Sequence, residues 1–160
     1  MAIVLARVDD RLLHGQVVVA WRQYLGFDAA YVVDDGVAGD PLVVETLRLA
    51  APFDLAVRTL TVREAASVLA APSMERIVLL FSEPQAALAL LEAGISLNEL
   101  NLGNLASGPG RKRVLRSISL SEAETAVLDA LSARGVRVTL QQTPDERAVD
   151  WETVRRKVTW

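Results

Sequence analysis

The string Asp9-Asp10-Arg11-Leu12-Leu13-His14-Gly15-Gln16 brings together two carboxylates, a guanidinium and the only histidine of the chain. These residue types at this spacing can do chemistry on an anion. A neutral imidazole, with an ordinary pKa of about 6.5, offers a lone pair that can attack phosphorus at neutral pH. A carboxylate at Asp9 or Asp10 could accept a hydrogen bond from one ring nitrogen and thereby select the other as nucleophile. Arg11 could neutralise non-bridging oxygens, which matters because phosphoryl transfer is governed mainly by positioning and by stabilisation of spread negative charge. The same residues also read as a solvated turn with a surface ion pair and a spare histidine. Residue types alone leave both readings open.

Which reading applies depends on the elements that hold the string. Apolar runs of about six residues alternate with segments of helical periodicity, the pattern of repeated βαβ units on a mostly parallel sheet covered on both faces. Strands are predicted at Ala2 to Val8, Ala29 to Val33, Leu55 to Leu60, Arg76 to Phe81, Glu99 to Leu102, Val114 to Ser119 and Val136 to Leu140. Helices are predicted from Gly15 to Leu25, from Pro41 to Ala50 behind Asp40 as N-cap, and from Glu83 to Glu92. Two more open on capping boxes, Thr61 with Glu64 and Ser121 with Glu124, and end at Pro72 and Gly135. Asp34-Asp35-Gly36 reads as a turn, GNLASGPGRKR as a flexible loop, and the tail from Asp145 to Trp160 as helical. The fold expected is a three-layer α/β/α sandwich on a largely parallel central sheet, one domain over residues 1–160. In such sheets ligands gather beyond the carboxyl ends of the strands. The string follows the first strand, and the helix from Gly15 would turn its free N–H groups and positive dipole end toward it.

Composition narrows the function classes. The chain contains no cysteine and one histidine, so neither a disulfide framework nor a thiolate or multi-histidine metal site is expected, and no cofactor is implied. A formal net charge of −3 gives no global attraction to nucleic acid. Neither a membrane-spanning run nor a secretory leader is legible, and a cytoplasmic location is the expectation. Gly-rich dinucleotide and P-loop motifs are missing, as is a nucleophile elbow. Trp21, Trp151 and Trp160 are too scattered for a stacking platform. Arg111-Lys112-Arg113 reads as a solvated face or as the rim of a partner interface.

RVDDRLLHGQVVVAW resembles the N-terminal signature of EIIB subunits of the mannose/fructose/sorbose family of the phosphoenolpyruvate-dependent sugar phosphotransferase system. VVDDGVAGDPLVVETLRLAAP, VLLFSEPQAALALLEAGI, LNLGN and LSARGVRVTLQQTPDERAVDW resemble later parts of the same family, so the likeness spans nearly the whole chain. The resemblance implies a protein-N(π)-phosphohistidine–sugar phosphotransferase. In it His14 takes a phosphoryl group from EIIA and passes it to a sugar held by the membrane subunits EIIC and EIID, without itself inserting in the membrane. It further implies that Arg11 holds the phosphoryl oxygens and that Asp10 orients the loop. Asp9, Gly15 and Gln16 complete the phosphoryl-binding segment, and the loops at Phe81-Ser82 and Gly103-Asn104 flank His14. Family members commonly carry Gly-Gly-Met where this chain has Gly103-Asn104-Leu105, and often a lysine near Ser82. Those departures bear on substrate and partner, and leave room for an alternative, a regulatory phosphocarrier of a system without a sugar permease. A third reading is a ligand-binding α/β domain without phosphoryl chemistry. The sequence leaves homo-oligomerisation open.

Overall fold

A computed structural model describes residues 1–160, the side chains of Gln16 and Val17 excepted. The chain runs β1 (Ala2–Asp9), α1 (Gly15–Leu25), β2 (Ala29–Val33), α2 (Asp35–Ala38), α3 (Pro41–Ala50), β3 (Ala56–Leu60), α4 (Val62–Ala70), β4 (Arg76–Phe81) and α5 (Pro84–Glu92). It continues with β5 (Glu99–Asn104), β6 (Arg111–Leu115), β7 (Ile118–Ser121), α6 (Glu122–Ala133), β8 (Arg137–Leu140), β9 (Val149–Asp150) and α7 (Trp151–Arg155). Seven strands form one sheet in the order β3-β2-β4-β1-β5-β8-β9, parallel except for β9. β1 therefore lies at the centre, paired with β4 on one side and β5 on the other.

The buried strands are Val-, Ile- and Leu-rich because both faces of the sheet are covered. On one face Val18 and Trp21 of α1 and Leu47 of α3 pack on Ala30, Val32, Val78 and Leu80, together with Leu12 and Leu13 of the loop after β1. On the other, α4, α5, α6 and α7 cover Val8, Val33, Phe81, Leu102 and Leu140, with Trp151 fully buried among them. Local chemistry sets the helix starts. Asp40 accepts hydrogen bonds from Leu42 and Val43, and the Thr61/Glu64 and Ser121/Glu124 capping boxes are both closed.

Three sequence expectations are corrected. Asp34 caps a four-residue helix, accepting from the Val37 N–H, where a turn was expected. The run Val114 to Ser119 is not one strand. It belongs to an antiparallel hairpin of β6 and β7 that turns at Arg116-Ser117, and Leu105 bridges Ile118, so much of the expected flexible loop is ordered pairing. The tail is helical over Trp151–Arg155 only, because Val149 and Asp150 first pair with β8 at the sheet edge.

One irregularity of the sheet shapes the end of β1. β1 and β5 pair Val8 with Leu102 but Asp9 with Asn104, so Gly103 is an extra residue on β5. Such a bulge bends the strand and re-aims the side chains beside it.

Candidate functional site

β1 ends at Asp9, whose carboxylate is 1% exposed and gathers five donors. Oδ1 accepts from the Arg11 backbone N–H and from Arg11 Nε, each at 3.0 Å. Oδ2 accepts from Arg11 NH2 at 3.0 Å and Arg7 NH2 at 3.1 Å, and lies 3.1 Å from His14 Nε2. Burial by itself would raise the Asp9 carboxyl. Hydrogen bonds from Arg11 and His14, the charge of Arg7 and the Arg11 amide outweigh it and hold the group below the usual carboxylate range. Asp9 is thus a fixed anion at neutral pH. It binds Arg11 through two nitrogens in the planar fork geometry that guanidinium and carboxylate share.

The two groups that Asp9 orients reach solvent. The His14 side chain is 25% exposed and that of Arg11 40%, against 1% for Asp9 and for Arg7. With Nε2 on Asp9, Nδ1 is the ring nitrogen that takes no hydrogen bond from the described residues. His14 is also the N-cap of α1, in extended backbone and without a side-chain cap bond, so the ring and the helix's first N–H groups share one corner. At Asp9 itself two guanidiniums face one buried carboxylate, a local positive balance. The helix end adds to it, and the arrangement suits a phosphoryl dianion.

The loop between strand and helix is anchored to the sheet. Leu12 sits at φ 57°, a left-handed conformation that costs a leucine energy, and its N–H donates to the Asp9 carbonyl at 2.8 Å. Leu12 and Leu13 are buried on the α1 face of the sheet. Removing each from water contributes about 1.5–3 kcal/mol, which offsets the strain.

The structure sorts the residues singled out in the sequence. Asp9, Arg11 and His14 come together. Asp10, placed among the catalytic residues by the resemblance, is engaged elsewhere: it accepts from Asn104 Nδ2 at 2.7 Å and from the Ala106 N–H at 2.8 Å. These bonds fasten the loop to the end of β5, and the imidazole's hydrogen bond goes to Asp9 instead. Gly15 opens α1, exposed, with open space where a Cβ would stand. Gln16 lies outside the described residues as regards its side chain. Ser82 follows Phe81, which pairs with Val8, so it falls in register with Asp9; its hydroxyl donates to Asp34 Oδ2 and is not turned to the ring. At Gly103 the structure shows a close approach of another side chain. The place of its missing Cβ holds the Arg7 guanidinium, whose Cζ would lie 2.0 Å from such an atom. Of the cluster Arg111-Lys112-Arg113, Arg111 pairs with Glu124, Lys112 donates to the Thr159 carbonyl and stacks over Trp160, and Arg113 is exposed.

Sequence reasoning missed Arg7 and Asn101. Arg7 NH1 donates to Asn101 Oδ1 at 2.6 Å and to the Gln141 carbonyl at 3.1 Å. A signal existed: each is a polar residue in the middle of a strand expected to be buried on both faces, where an unpaired polar group is costly.

Fold and site together define an α/β domain that presents an imidazole and a guanidinium to solvent beyond the carboxyl end of the central strand. Residues 3–159 match the family described as PTS system sorbose subfamily IIB component. The chain is 31% identical to the PTS system fructose-specific EIIB component of Bacillus subtilis (strain 168), with 99% of each chain covered. It is 32% identical to the mannose-specific EIIAB component of Escherichia coli (strain K12), over 89% of this chain and 45% of that protein. The IIBSor domain of the sorbose permease from Klebsiella pneumoniae superposes with a TM-score of 0.94 at 28% identity, covering 100% of this chain and 99% of that one. The chain belongs to the sorbose-subfamily IIB components of the sugar phosphotransferase system, and is a phosphotransferase by class. Among the described residues no helix is long and apolar enough to cross a membrane.

Proposed function

We propose that His14 is the phosphoryl carrier, loaded by the phosphohistidine of an EIIA partner and unloaded onto a sugar held by membrane subunits of the EIIC and EIID kind. The observation that carries this is the placement of the ring: Nε2 on the buried Asp9, Nδ1 unclaimed, and the Arg11 guanidinium beside it on the same carboxylate. Nδ1 attacks phosphorus as the donor's P–N bond breaks. The positive charge that develops on the imidazole is stabilised by the Asp9 carboxylate, which accepts the hydrogen bond of a proton that stays on Nε2. Arg11 and the first amides of α1 receive the phosphoryl oxygens. In the second transfer the N–P bond breaks, the sugar hydroxyl oxygen bonds to phosphorus as its proton leaves to solvent or to a base on the acceptor side, and His14 returns neutral with Nε2 still protonated. An EIIA donor is supported by the E. coli relative, named as an EIIAB component. Residues 1–160 act in this reading as one EIIB-like domain.

The test supplies phosphoenolpyruvate, enzyme I, HPr and an EIIA protein, and measures acid-labile phosphate on the chain. The wild type is expected to be labelled at His14 Nδ1, as read by phosphorus and nitrogen NMR, and His14→Ala to remain unlabelled. Label on His14→Ala, or phosphate on Nε2, overturns the reading. Arg11→Ala is expected to slow transfer by about two orders of magnitude, on the order of 3 kcal/mol in the barrier, while the domain stays folded.

A further inference from the structure

Arg7 is a buried cation that the carrier chemistry leaves unassigned. It is 1% exposed, and its side-chain partners Asp9 and Asn101 are as deeply buried. Its guanidinium nevertheless joins three strands: NH2 meets Asp9 on β1, while NH1 meets Asn101 on β5 and the Gln141 carbonyl just past β8. Trp21 of α1 lies against it, with the guanidinium carbon 5.7 Å from the ring centroid. The bulge at Gly103 makes the space, because any Cβ there would overlap the guanidinium at 2.0–2.4 Å.

Stability does not account for this residue. Nε is buried without a hydrogen-bond partner, and burial drags the guanidinium below its ordinary pKa against the opposing pull of Asp9. Apolar side chains of similar volume commonly fill such a position at least as well as a buried ion pair. What an apolar side chain would not do is fix the Asp9 carboxylate. Arg11 grips Asp9 too, but Arg11 is 40% exposed, rides on the loop, and has a phosphoryl group to meet. Arg7 ties Asp9 to the sheet itself.

Resting on the carrier reading, we infer that Arg7 is the positioning residue of the phosphoryl-transfer site: seated in the Gly103 bulge, it locks Asp9, which in turn locks the His14 ring with Nδ1 outward. Arg7 touches neither phosphate nor imidazole and acts only through Asp9. Gly103 is then required for the space it leaves, and Asn101 for holding the other end of the guanidinium.

Four proteins test this: Arg7→Met, Gly103→Ala, Asn101→Ala and the double variant Arg7→Met with Gly103→Ala. Two readouts are taken, the His14 Nε2–H resonance by proton–nitrogen NMR and the rate of labelling through EIIA. The wild type is expected to show a Nε2–H proton protected from exchange by Asp9. Each single variant is expected to lose that signal and to label about 10- to 100-fold more slowly, as when the outer partner of a functional ligand is removed. The double variant is expected to be no slower than Arg7→Met, because the added methyl occupies space the guanidinium has vacated. Additive losses overturn the proposal, and so does Gly103→Ala with wild-type ring and rate. If Arg7→Met does not fold, Gly103→Ala and Asn101→Ala decide alone, since both keep the charge and disturb only its seat. A wild type that takes no phosphate refutes the carrier reading, whereas the ring signal still judges Arg7.

Discussion

Replacing Asp9 by Asn keeps the shape of the site and removes its anion. Asp9 offers five acceptor contacts, two at Oδ1 and three at Oδ2. An amide has one carbonyl oxygen, so whichever way it is turned at least two donors face an NH2 group. Arg11 is 40% exposed and can turn to water, which discounts its share, whereas Arg7 at 1% cannot. Leaving a buried charge without its partner costs about 3–5 kcal/mol, and the discount places this site near the lower end, about 3 kcal/mol. For a domain of this size each kcal/mol moves Tm by roughly 2–4 °C, so Asp9→Asn is expected to melt about 6–12 °C below wild type at neutral pH. The His14 Nε2–H loses its acceptor in the same step, and labelling through EIIA is expected to fall about 10- to 100-fold. Calorimetry and the labelling assay on one preparation check both numbers. A variant that melts within about 2 °C of wild type and labels at the wild-type rate would refute the view of Asp9 as the fixed anion of the site.

The depressed native pKa of Asp9 gives a pH signature, because below the ordinary value of 3.8 the unfolded chain takes the proton before the native one does. The stability due to Asp9 is therefore complete at neutral pH and lost as pH falls below about 4, and the melting gap between wild type and Asp9→Asn should close over that range; a constant gap contradicts the assignment. Asp10→Ala removes the acceptors of the Asn104 amide and the Ala106 N–H, and is expected to lower stability by about 1 kcal/mol and to speed hydrogen exchange at Ala106, with unchanged exchange counting against the tether. Ser121→Ala opens the capping box of α6 and should lower Tm by roughly 2–4 °C, about 1 kcal/mol, leaving the phosphorylation rate untouched.

Elements that carry their own punctuation were legible in the sequence. α1 and α3 have the predicted bounds because Gly26 closes one and Asp40-Pro41 opens the other, and the capping boxes located two more starts. What was missed lacked such marks or was decided at a distance. Val114 to Ser119 read as one strand because Arg116-Ser117 carries neither glycine, proline, asparagine nor aspartate, yet the hairpin turns there. Trp151, Val154 and Val158 keep helical spacing, but the residues before them are drawn to the edge of β8. At the site, the string marked His14, Arg11 and the pair of aspartates as candidates, and the family resemblance, not spacing, gave them roles. Which aspartate meets the ring depended on strand register, which places the Asp9 side chain on the α1 face beside Arg7 while Asp10 faces the end of β5. Arg7 and Gly103 lie 96 residues apart in sequence (103 − 7), and only the bulge between neighbouring strands brings them into contact.

The buried Leu12 and Leu13 have a consequence for traffic. A loop nailed to the sheet by its own apolar residues, and tied again by Asp10, has no swing with which to carry a group from one place to another. In the carrier reading the whole molecule is then the moving part. Donor and acceptor must each dock over the same small corner of exposed imidazole and guanidinium, so the two compete for it. A saturating excess of unphosphorylated EIIA should slow delivery to the sugar by occupancy alone, and the throughput of the system would peak where neither partner monopolises the corner.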